Sequence, residues 1–89
     1  MSKNTLTVSI GGREYTLTSP ENEEWTRRIA AYVDRKIAEV SLHSSMSTEI
    51  AAVVASLSIT EELFEAQKEN QALRNRLYAA ERHERNTRG

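Results

Sequence analysis

Hydrophobic and polar positions alternate at the start of the chain. Leu6, Val8 and Ile10 share one face, and after Gly11-Gly12 the alternation resumes with Tyr15 and Leu17. A Gly-Gly pair between two alternating runs predicts a tight hairpin, because both central positions of the favoured turn take positive φ. Pairing Ile10 with Arg13 sets Val8 opposite Tyr15 and Leu6 opposite Leu17, which gathers the large apolar side chains on one face. A lone hairpin is marginal in water, so that face needs a cover. Further on, the period changes. Trp25, Ile29, Tyr32, Val33, Ile37 and Val40 recur at helical spacing and predict an amphipathic helix ending near Leu42. Its start is read at Ser19-Pro20-Glu21, with Ser19 as cap and Pro20 in the first helical position. His43-Ser44-Ser45-Met46 reads as a short connection.

Ser47-Thr48-Glu49 opens a second helix. No Pro or Gly interrupts the chain from Thr48 to the final Gly89, so this helix is expected to run to about Glu84, roughly 55 Å at about 1.5 Å per residue. A single small core cannot cover such a length. Two stripes divide it. Ile50, Val53, Val54, Leu57 and Phe64 form an early stripe, expected to pack on the first helix and the hairpin. Ile59, Leu63, Ala66, Asn70, Leu73, Leu77 and Ala80 follow at 4-3 spacing as a heptad seam, with Leu63, Asn70 and Leu77 at a. The seam predicts a coiled coil with another chain. Asn70 within it either fixes register or sits in a solvated layer. The fold class is thus α+β: an N-terminal β-hairpin, one amphipathic helix, then one long coiled-coil helix. Residues 5–64 are expected to form a globular head and residues 59–85 the oligomerisation helix, with disordered ends at 1–4 and 86–89.

Charge adds polarity to this helix. Residues 48–69 hold five acids and one base, net −4, and residues 70–89 hold five arginines and two acids, net +3. Antiparallel neighbours would set acidic halves against basic ones. Individual exposed pairs contribute well under about 1 kcal/mol each, and local pairing alone does not choose between parallel and antiparallel.

The chain has 89 residues and a formal net charge of −1, which bounds it to one small domain and argues against a generic nucleic-acid binder. Cysteine is absent, which excludes disulfides, thiolate metal sites and cysteine nucleophiles. No apolar run approaches the roughly 20 residues of a membrane span, and Met1-Ser2-Lys3-Asn4 leads into the first strand without an apolar leader. A cytoplasmic protein is expected. His43 and His83 have no neighbouring ligand, Gly11-Gly12 is too short to cradle a phosphate, and the serines and threonines lack a nearby base. No catalytic, cofactor or metal site is therefore expected. The Glu61, Glu62 and Glu65 cluster reads as a wet face. Arg74, Arg76, Arg82, Arg85 and Arg88 read as a solvated helix end, with contact to nucleic acid or an acidic surface as the alternative.

The stretches GREYTLTSPENEEWTRRIAAYVDRKIAEV (12–40) and TEIAAVVASLSITEELFEAQKEN (48–70) closely resemble the ZapA family of bacterial cell-division proteins. The order of hairpin, helix, link and long helix is similar across nearly the whole chain. The resemblance implies head-to-head dimers joined through antiparallel coiled coils into a tetramer. It also implies binding to the tubulin-like GTPase FtsZ, cross-linking of its filaments and promotion of Z-ring assembly at the division site. No nucleic-acid, membrane or small-molecule partner is implied. Two candidate FtsZ contacts carry over. Arg13 belongs to a Gly-Arg pair at the hairpin tip, and Glu49 to the Thr-Glu pair opening the long helix. The blander readings are an exposed turn residue and a helix-dipole partner. Val54 matches an apolar position of the family's helix interface. Ser58 stands where the family often has an amide, and His43-Ser44-Ser45 where some relatives carry basic residues. Without the resemblance, the pattern describes a generic coiled-coil adaptor for another protein.

Overall fold

The computed structural model describes residues 4–19 and 22–88. Its elements run β1 (Asn4–Ile10), β2 (Arg13–Ser19), α1 (Glu23–Leu42) and α2 (Thr48–Arg88). β1 and β2 are antiparallel, with Ile10 opposite Arg13, Val8 opposite Tyr15 and Leu6 opposite Leu17, the register that the alternation predicts. Gly11 and Gly12 have φ of 62° and 84°, a conformation open to glycine and costly for a residue with a Cβ. Of the ends expected to be unstructured, Asn4 is already in β1, and α2 continues through 86–88 because no Pro or Gly precedes Gly89. The rest of those ends lies outside the described residues.

The start of α1 differs from expectation. Asn22 is the N-cap, its side-chain oxygen accepting the Trp25 N–H at 2.7 Å, with Glu23 and Glu24 in the first turn. Ser19 instead ends β2. It is buried, and its hydroxyl shares a 2.6 Å hydrogen bond with the Thr26 hydroxyl. The expected placement of Pro20 and Glu21 falls outside the described residues. At its other end α1 stops at Leu42, where the His43 N–H donates to the Val40 carbonyl. α2 opens as expected, with the Ser47 hydroxyl accepting the Ile50 N–H at 3.3 Å.

The chain divides into two units, Met1–Ser58 and Ile59–Gly89, and α2 contributes to both. In the first unit, α1 packs on β1. Leu6 and Val8 are buried with Ala30, flanked by Ile10 and Leu17. Burial of each such large aliphatic side chain stabilises by about 1.5–3 kcal/mol. A second cluster joins Ile37 of α1 to Ala51 and Ala55 of α2, with Ile10, Val33, Val40, Met46 and Ala52 against it.

These clusters correct the expected helix faces. On α1 the inward row is Thr26, Ala30, Val33, Ile37 and Val40, at 4-3-4-3 spacing. Trp25, Ile29 and Tyr32, expected to face the core, are exposed. On α2 the inward residues are Ala51 and Ala55, at 0% and 1% exposure, while Ile50, Val53, Val54 and Leu57 of the expected core stripe face out. The two alanines meet α1 through Ile37, which fills the space their small side chains leave. Phe64 of the same expected stripe is exposed in the second unit.

Candidate functional site

The two residues proposed to touch a partner come from positions 36 apart in sequence, and the fold brings their surroundings together. The turn is seated through Gly11. Its backbone N–H donates to Asp34 Oδ1 on α1 at 2.9 Å. A Cβ at Gly11 would lie 3.0 Å from Thr48 Cγ2 and 3.7 Å from Ile37 Cδ1. The turn therefore rests on both α1 and the first residue of α2. Gly12 has nothing within 4 Å of its Cβ direction and faces open space. Arg13 follows it on β2, Glu49 follows Thr48 on α2, and both are exposed. The hairpin turn and the start of α2 thus lie side by side, and Arg13 and Glu49 each follow within two residues of the Gly11–Thr48 contact.

The proposed oligomerisation residues lie on α2. Val54 is exposed and Ile59 half-buried, while Leu63, Ala66, Asn70, Leu73 and Leu77 are all exposed. No described residue from Thr60 to Arg85 is buried by the chain itself. The Gln71 amide donates to Asn75 Oδ1 at 3.2 Å along the helix surface, and the Arg82 guanidinium lies 5.8 Å from the Tyr78 ring centroid. An uncovered heptad face with polar flanks is the form a coiled-coil partner requires.

The outward apolar row on α1 was not separated from the core row by sequence reasoning. It carries cations on its aromatics. Arg28 lies over Trp25 at 5.6 Å and Arg35 over Tyr32 at 4.9 Å. On α2, Val53 and Leu57 are also exposed, at 61% and 68%, so the first unit presents several large apolar side chains to solvent. The signal in the sequence was a second apolar row at 25, 29 and 32 beside the one at 26, 30, 33 and 37. No described helix is long and apolar enough to cross a membrane.

Comparison with known proteins gives this arrangement a context. The family model described as "Cell division protein ZapA" matches residues 6–88. A "ZapA mutant dimer" from Geobacillus stearothermophilus is similar at 32% identity and a TM-score of 0.68, over 86% of this chain and 91% of that one. An "unknown conserved bacterial protein" from Pseudomonas aeruginosa PAO1 is similar at 30% identity and a TM-score of 0.66, over 97% and 99% of the two chains. No curated protein matches. Because the family match spans the hairpin, α1 and α2 together, this chain belongs to the ZapA family of cell-division proteins.

Proposed function

We propose that the chain binds FtsZ filaments in the cytoplasm and cross-links them, promoting Z-ring assembly at the division septum. It acts as a dimer that pairs through α2 into an antiparallel tetramer. The observation that carries this reading is that one ZapA-family chain exposes two different surfaces. One is polar, around Arg13 and Glu49. The other is the apolar heptad face of Leu63, Leu73 and Leu77. A cross-linker needs both, since multiplying weak contacts on one assembly converts them into avidity. The G. stearothermophilus relative is described as a dimer, which agrees with self-association here. The opposed charge of the two halves of α2, −4 over residues 48–69 and +3 over residues 70–89, favours antiparallel pairing.

The test is low-speed sedimentation of FtsZ with GTP, with and without this chain, beside light scattering of the chain alone. The expected result is co-pelleting, more FtsZ in the pellet and a dimer–tetramer mass. Arg13→Glu and Glu49→Lys should each reduce pelleting without changing that mass. A folded oligomer that stays in the supernatant would sink the FtsZ reading and leave a coiled-coil adaptor for another protein.

A further inference from the structure

A two-stranded hairpin has little of its own to hold its tip in place. β1 supplies most of the packing on α1, and β2, which carries Arg13, touches α1 at its far end, where Ser19 meets Thr26. The tip is nevertheless tied down at one residue. Gly11 gives its N–H to Asp34 at 2.9 Å, in a part-buried setting, and its α-carbon faces the Thr48 methyl and Ile37. Asp34 and Ile37 are three residues apart on α1, neighbours on one face of that helix, and both reach Gly11. A carboxylate accepting a backbone N–H makes a charge-assisted bond, among the stronger kinds available to a turn. The next residue, Gly12, has open space in its Cβ direction, and Arg13 pairs with Ile10 in the hairpin ladder, so the Gly11 seat is what ties that paired tip to α1 and to the start of α2.

We propose that Asp34 is a positioning residue for partner binding: by accepting the Gly11 amide proton it holds the hairpin turn against Thr48, and so keeps Arg13 and Glu49 together as one contact surface. The proposal rests on the reading of Arg13 and Glu49 as FtsZ contacts. Asp34 itself need not touch the partner. Its effect is entropic: a tip already held in place loses less freedom when it binds. Asparagine can replace the aspartate in this role, because its side-chain oxygen still accepts the N–H, whereas alanine cannot.

The experiment uses the full chain as wild type, Asp34→Asn and Asp34→Ala. Amide hydrogen exchange at Gly11 is read by NMR, and FtsZ affinity by sedimentation. Asp34→Ala should speed Gly11 exchange and weaken FtsZ binding roughly tenfold, equivalent to about 1.4 kcal/mol, with the oligomer mass unchanged. Asp34→Asn should stay within about threefold of wild type in both readouts. Gly11 exchange that Asp34→Ala leaves unaltered overturns the proposal, as does wild-type affinity in a variant whose Gly11 amide is freed. Equal loss in Asp34→Asn and Asp34→Ala overturns it too, since the charge itself would then be the contact. Should Asp34→Ala fail to fold, Asp34→Glu, which displaces the acceptor by one methylene, reads the same two quantities. Absence of wild-type pelleting would refute FtsZ binding and the positioning role with it. The exchange arm then still shows whether Asp34 holds the turn, which separates the two failures.

Discussion

Replacing each turn glycine with alanine in turn separates the conformational demand of the turn from the demand of its seat. Gly11 and Gly12 both have positive φ, at 62° and 84°. A Cβ in that region costs about 1–2 kcal/mol. At Gly12 nothing lies within 4 Å of the added carbon, so the cost stops there. At Gly11 the added carbon would fall 3.0 Å from Thr48 Cγ2, inside the roughly 3.5–4.0 Å at which carbon atoms normally meet. Relief requires rotating Thr48 or lifting the turn off the start of α2, an overpacking cost of about 1–3 kcal/mol. The gain from a stiffer unfolded chain applies to both variants and cancels in their difference. Gly11→Ala should therefore lose about 2–5 kcal/mol and Gly12→Ala about 1–2 kcal/mol. At about 4–8 °C per kcal/mol for a domain of this size, the Gly11 variant should melt at least several degrees below the Gly12 variant. Thermal melts followed by circular dichroism, at one protein concentration because self-association shifts apparent stability, measure this. Equal melting temperatures, or a lower one for Gly12→Ala, would refute the claim that the turn is seated on Thr48.

Two further outcomes are expected. Truncation after Asn70 removes Leu73 and Leu77 and should retain some FtsZ binding while losing bundling; undiminished bundling by a truncate shown to be dimeric would remove the tetramer from the mechanism. Leu57→Glu changes a side chain 68% exposed in the isolated chain, so it should leave the helical circular dichroism signal intact while lowering the mass in light scattering, and an unchanged mass would show that this outward α2 row is not an oligomer contact.

Much of the molecule is legible from local pattern. The hairpin register follows from alternation on either side of Gly11-Gly12, because a shift of one residue would send Leu6 and Val8 to the solvent face. The stop at Leu42, the start at Thr48 and the uninterrupted run beyond it follow from capping residues and from the absence of Pro and Gly. Spacing proposes Leu63, Asn70 and Leu77 as heptad positions and the resemblance proposes Arg13 and Glu49 as contacts, and all five are exposed in the fold. The Ser19 cap was misread for a physical reason. Serine serves a strand end as well as a helix start, and its hydrogen bond to Thr26 depends on where β2 lies against α1.

The sequence by itself determined the elements, their order, the register of the hairpin and the apolar character of each helix. These depend on interactions within a few residues along the chain or between strands joined by a tight turn. Only the tertiary structure decided which apolar row faces inward. Trp25 and Ile29 are at least as hydrophobic as Thr26 and Ala30, and Ile50, Val53 and Leu57 more so than Ala51 and Ala55, so hydrophobicity could not choose. The choice fell to fit: the small Ala51 and Ala55 are the α2 residues that share a buried cluster with Ile37 and Ile10, and the large ones lie outside it. The hydrogen bond from Gly11 to Asp34 was equally out of reach of the sequence, since it joins residues 23 apart that meet only when α1 lies along β1.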